Sequence, residues 1–181
     1  GSLAFPSLDH GVRFLKQLRH EGAVPASIRL VNNTEFRFGQ ALKPAPGFVH
    51  GLLDKVKKLF LFKVKRFDPY QMAGCTIVME GTSREVAMQR DIIFSLASDF
   101  GGMSGGSANG RRGYMLTFGI AYIRDFFNQF HIMGETFETS VPWSRIHDVI
   151  GAVEQQLAQL AQEHQLPSKP YLAYRVTQTY H

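Results

Sequence analysis

The run from Tyr114 to Phe130, YMLTFGIAYIRDFFNQF, carries only two charged residues, Arg124 and Asp125. A helix this apolar on all sides is at home only where other parts of a protein cover it. The run is short for a membrane span, and its paired charges argue against that alternative. It therefore predicts a helix buried on most of its circumference with a guanidinium inside. A guanidinium keeps its charge, and a buried one must meet an anionic or carbonyl partner. Asp125 is badly placed for this, because neighbouring helical residues point about 100° apart. Glu135, Glu138, a more distant carboxylate, a phosphate or an electron-rich cofactor could each serve. A structural ion pair and a functional site are both open readings of Arg124.

Helix and strand signals alternate along the rest of the chain. Leu8, Val12, Leu15 and Leu18 form one face of a helix predicted over Pro6 to Glu21, which Gly22 ends. Ala26 to Val31 alternates as a short strand, with Arg29 facing away from Ile28 and Leu30. Asn32-Asn33 signals a turn. Gly47 to Val64 predicts a second helix, and Asp68-Pro69 a break. Cys75 to Glu80 is a β-branched strand, and Ser83 caps a helix reaching Phe100. The glycine-rich stretch Gly101 to Tyr114 reads as a loop leading into the Arg124 helix. His131 to Thr139 reads as a strand. Pro142 opens a long helix whose buried face is Ile146, Val149, Ile150, Val153, Leu157, Leu160 and Ala161. After a linker from Pro167 to Pro170, Ala173 to Thr179 is a last strand. The fold expected is α+β: a mainly antiparallel sheet of about four to five strands covered by long helices, in preference to a doubly wound parallel sheet.

With 181 residues the chain is one large domain or two very small ones. Its single cysteine, Cys75, excludes an internal disulfide framework, points to a reducing compartment, and reads as a buried inert thiol. Gly1 and Ser2 read as the remnant of a cleaved tag. With no secretory signal, the Asn32-Asn33-Thr34 sequon is a chance match. A net charge of +5 suits an anionic partner without specifying one.

Short motifs add little. Gly102-Met103-Ser104-Gly105-Gly106 fits G-x-S-x-G, but a hydrolase elbow needs a strand before it and a helix is expected there. Arg112-Gly113-Tyr114 opens like an RNA-recognition sheet motif, then departs at Met115, Leu116 and Thr117. RNA binding, or scaffolding, is the reading from a different class. The seven histidines show no ligand spacing, so no metal site is expected. Arg29, alone in its strand, reads as surface-facing.

Longer stretches say more. PASIRLVNNTEFRFGQALKP (Pro25 to Pro44), NGRRGYMLTFGIAYIRD (Asn109 to Asp125), GETFETSVPW (Gly134 to Trp143) and RVTQTY (Arg175 to Tyr180) occur in this order across nearly the whole chain. Together they resemble the alkyldihydroxyacetonephosphate synthases, ether-lipid flavoenzymes of the vanillyl-alcohol-oxidase-like FAD family. The resemblance implies that residues 1–181 are a single cap, or substrate, domain of a longer enzyme. An N-terminal domain would hold most of the FAD, and the tyrosine and histidines of the chemistry would follow RVTQTY. The fragment alone would be inactive.

The resemblance also implies the reaction. The acyl chain of acyl-dihydroxyacetone phosphate is exchanged for a long-chain fatty alcohol, with the flavin N5 carrying the dihydroxyacetone unit. Arg124 then lies at the active site near flavin and substrate, and Arg29 supports the cofactor from the flavin side of the cap. The implied setting is a peroxisome or glycosome, with a homodimeric full-length enzyme, peripheral membrane contact and no nucleic acid. A flavin oxidase or dehydrogenase acting on a 2-hydroxy acid shares the cap architecture and is the competing enzyme reading.

Overall fold

A computed structural model describes residues 1–42 and 67–177. The helix expected over Gly47 to Val64 lies outside them. The chain divides into two compact units, one of Gly1–Thr117 with Ala173–His181, the other of Phe118–Leu172.

The first unit is built on a five-stranded sheet. In chain order its strands are β1 (Ser2–Phe5), β2 (Ser27–Val31), β3 (Ala73–Val78), β4 (Met103–Ser104) and β5 (Arg175–Val176). Their spatial order is β4-β1-β3-β2-β5, and every neighbouring pair is antiparallel. The expected class, α+β with an antiparallel sheet of about this size, is the one observed.

Period-two alternation gives the sheet two unlike faces. Leu3, Phe5, Ile28, Leu30, Ala73, Cys75 and Ile77 are buried on one. Against them pack α1 (Leu8–His20), through Phe14, Leu15 and Leu18, and α3 (Ser83–Asp99), through Ile93, Leu96 and Ala97. The opposite face carries the sheet's polar side chains, interspersed with Ala4, Val31 and Val78. Registered pairing lines up Ser2 with Thr76 and Thr76 with Arg29 across three strands.

Several boundaries follow from capping chemistry. Ser7 caps α1, and Gly22, at φ 70°, takes the left-handed conformation that ends it. Thr82, not Ser83, caps α3, in a capping box with Glu85. Asn32 does not simply turn the chain. It caps a helix the periodicity did not reveal, α2 (Asn33–Ala41), by accepting from the Glu35 N–H at 3.0 Å. Its side chain is buried, so the sequon asparagine has no access to a glycan.

Gly1 and Ser2 take part in the sheet: Ile77 N donates to Gly1 O at 2.9 Å and Ser2 is buried. Two expectations about longer segments are corrected. The stretch from Gly101 to Tyr114 is only partly loop. It contains β4, and helix α4 (Ser107–Asn128) begins within it. The segment from His131 to Thr139 has no regular structure. It follows the end of α4, where Ile132 N donates to Phe127 O and His131 sits at φ 58°.

The second unit contains the C-terminal half of α4, a 3-10 turn (Trp143–Arg145) and helix α5 (Ile146–Glu163). Pro142 precedes this helical region as expected. Of the seven residues expected to be buried on α5, only Ile146 and Ala161 are. The apolar half of α4 is not buried either: Phe118, Ile120, Tyr122 and Phe126 are all exposed, as is Phe130 just beyond its end. The expectation of burial is corrected: within this unit only one further helix and a 3-10 turn accompany α4, too little to cover a helix apolar on every side. No described helix is long and apolar enough to cross a membrane.

Candidate functional site

Arg29 is held where two sequence devices meet. Alternation in SIRLV sends its side chain to the polar face, as expected, beside Thr76 of β3. It is not simply surface-facing. Its guanidinium donates to Thr117 Oγ1 on α4, and the residue is half-buried. The first turns of α4 lie directly on the sheet because two glycines have no side chain. A Cβ on Gly113 would stand 2.6 Å from Thr76 Oγ1, and one on Gly110 would stand 2.2 Å from the Gly1 carbonyl oxygen. At Gly110 a larger residue would meet backbone and push the helix from the sheet, whereas at Gly113 it would meet the Thr76 side chain.

A second arginine joins the same face from the far end of the chain. In the β2–β5 register Arg175 pairs with Val31, two residues along β2 from Arg29, so both project to one side. Asn32 secures β5. Its N–H donates to Tyr174 O at 3.0 Å, and its Oδ1 accepts from Tyr174 N at 3.4 Å. The same oxygen caps α2, which sets Glu35 in the first turn, and there Glu35 Oε1 meets Arg175 Nη1 at 3.4 Å. Burial pushes the Glu35 carboxyl above its ordinary value of 4.5, opposed by the charges of Arg175 and Arg29. Arg29, Arg175 and Glu35 thus form a cluster with one uncompensated positive charge, bordered by the Thr76 and Thr117 hydroxyls.

Arg124 belongs to the second unit, so the structure does not join it to Arg29 in one site. It is 64% exposed, not buried. Among the described residues its ion-pair contact is Asp125, at 3.9 Å, the neighbour judged badly placed, rather than Glu135 or Glu138. An exposed pair at that distance contributes little, about 0–1 kcal/mol. The guanidinium is therefore accessible to a ligand.

The remaining motifs lose their functional readings. Arg112-Gly113-Tyr114 is helical, so it cannot serve as an RNA-binding strand. As expected, helix α3 and not a strand precedes Gly102; the two-residue β4 lies inside the G-x-S-x-G stretch, where Ser104 Oγ accepts from Gly106 N and braces the turn. Among the described residues no group of three or more metal-binding side chains converges. Glu35, Arg175 and Thr117 were not singled out by sequence. Asn32 followed three residues later by Glu35 is a helix-start pattern that could have revealed α2. The partnership of Glu35 with Arg175 is purely tertiary and left no local signal.

The chain is 38% identical to the alkyldihydroxyacetonephosphate synthase of Caenorhabditis elegans over 182 residues, covering 99% of this chain and 30% of that protein. It is 24% identical to the synthase of the same name from Dictyostelium discoideum, covering 97% of this chain and 28% of that one. It therefore spans under a third of these curated relatives. A solved structure of an alkyldihydroxyacetonephosphate synthase superposes with a TM-score of 0.78 at 22% identity, over 99% of this chain and 32% of that one, which establishes the shared fold. Residues 1–178 match the family described as FAD linked oxidases, C-terminal domain, and the chain belongs to that family.

Proposed function

We propose that this chain is the cap, or substrate, domain of an FAD-dependent ether-lipid synthase. The whole enzyme exchanges the acyl chain of acyl-dihydroxyacetone phosphate for a long-chain fatty alcohol. The observation that carries the reading is the 38% identity to a named synthase over 99% of the chain. In this reading most of the FAD is held by sequence beyond this domain, as are the remaining catalytic groups. The enzyme works as a homodimer with peripheral membrane contact, in a peroxisome or related organelle.

The donor set suits the cofactor. Reduced flavin and the FAD diphosphate are anionic, and the Arg29–Arg175–Glu35 cluster keeps a net positive charge on a polar sheet face, with the threonine hydroxyls of Thr76 and Thr117 beside it. In this assignment Arg29 supports the cofactor, with its guanidinium oriented by Thr117. FAD, when bound, supplies the ring atom at which the dihydroxyacetone unit reacts. Arg124 supplies a fixed positive charge to the substrate phosphate and to negative charge developing at the reacting centre. The exposed Phe118, Phe126 and Phe130 offer apolar surface to the alkyl chains and to the rest of the enzyme.

The test is acyl-to-alkyl exchange by the full-length enzyme with Arg124→Ala. Loss of one such charge–phosphate interaction is expected to lower kcat/KM by about 100-fold or more. Turnover at the wild-type rate would remove Arg124 from the site. The family's oxidase membership favours one second reading, a cap for 2-hydroxy-acid oxidation. Flavin reduction by a 2-hydroxy acid, with reoxidation by oxygen or another acceptor, would select it.

A further inference from the structure

The Glu35 carboxylate stands where burial disfavours its charge. Its contact with Arg175, at 3.4 Å, is too long to be a strong charge-assisted bond. Such a pair is weak evidence for stability, since the cost of desolvation offsets the attraction. Yet the structure invests heavily in placing it. One buried side chain, Asn32, both caps the helix that carries Glu35 and stitches down the strand that carries Arg175. The same strand register that places Arg175 beside Val31 puts it on the face of Arg29.

We propose that Glu35 is a positioning residue that yokes Arg175 and Arg29 into one cationic unit of net charge +1, and so sets the positive potential this face presents to a bound anionic flavin. This rests on the assignment of Arg29 to the cofactor side. Two guanidinium groups alone would present +2. The carboxylate, in contact with Arg175 and within electrostatic reach of Arg29, lowers that potential. The charge sum fixes the direction of every effect. Removing the carboxylate stabilises the anionic reduced flavin, and removing a guanidinium destabilises it.

The experiment uses the full-length, FAD-loaded enzyme and measures the reduction potential of the bound flavin by dye equilibration, beside the exchange rate. Glu35→Gln keeps the shape and removes the charge, and is expected to shift the potential positive. Glu35→Asp restores the charge and is expected to bring the potential back toward wild type. Arg175→Gln and Arg29→Gln are expected to shift it negative. Opposite signs at Glu35 and Arg175 are an outcome that a merely structural defect does not produce.

An unchanged potential in Glu35→Gln with a negative shift in Arg29→Gln overturns the role of Glu35 and leaves the cofactor assignment of Arg29 standing. No shift in any of the variants overturns both. Where Glu35→Gln does not load FAD, Arg175→Gln decides: a negative shift supports the yoke, and an unchanged potential overturns it.

Discussion

Asn32 and Tyr174, 142 residues apart, are joined twice: by a backbone hydrogen bond of 3.0 Å from Asn32 N and by the Asn32 side chain accepting from Tyr174 N. Because the same Oδ1 also accepts from Glu35 N, one buried oxygen serves two N–H groups. Asn32→Ala leaves both without their acceptor. We expect a loss of about 1–3 kcal/mol in denaturant unfolding, with Asn32→Asp retaining most of the stability. A loss below about 0.5 kcal/mol in the alanine variant would show that water replaces the oxygen and that the clamp is weak.

Glu35 gives a pH dependence of defined sign. Its folded carboxyl titrates above its ordinary value of 4.5, chiefly because of burial. The native state therefore holds this proton more tightly than the unfolded chain does. The stability it contributes is present below 4.5 and is lost as pH rises through the folded-state value. Glu35→Gln should flatten this part of the stability profile between acid and neutral pH. A profile that keeps its full slope in the glutamine variant would place the titration elsewhere.

Cys75 lies in the centre of β3 among Leu30, Leu3 and Ile77. Burial pushes its thiol up to about 12. At pH 8 a thiol-specific reagent should label it only as fast as the protein opens, and rapidly in denaturant. Fast stoichiometric labelling of the native protein would contradict its placement.

Leu30 is fully buried at the centre of the sheet's apolar face. Leu30→Ala should cost about 2–5 kcal/mol. Gly110→Ala tests the other face, since its Cβ would collide with backbone, which yields less readily than the end of a side chain. Overpacking there should cost about 1–3 kcal/mol. It should also weaken flavin retention in the full-length enzyme by lifting Thr117 from Arg29. Normal melting in the Gly110 variant would mean that α4 approaches the sheet less closely than described.

The elements legible in the sequence were those whose residues face one large core. The stripe of α1, the alternation of β2 and the β-branched β3 all fall there, and they were enough to fix the α+β class. β1 and β4 were missed because a strand of four residues and one of two carry almost no periodicity, and each exists through its partners. α2 was missed because none of its residues is fully buried, so no stripe announced it. The apolar run of α4 was read correctly as a helix and wrongly as buried. Sequence reports the demand for cover, whereas cover is supplied by neighbours. Arg29 was placed on the correct face by alternation, but its hold on Thr117 depends on two glycines a long way along the chain.

The sheet order also constrains how the chain is made. β1 is flanked by β3 and β4, and β2 finds its outer neighbour only in Arg175–Val176. While a ribosome is still extending the chain, β2 is an edge strand with an open row of hydrogen-bonding groups, the kind of edge that invites pairing with another nascent chain. Arg29 lies on that strand, and a charged side chain on an exposed edge strand discourages such pairing. The arginine assigned above to the cofactor would in that interval guard the unfinished domain against aggregation.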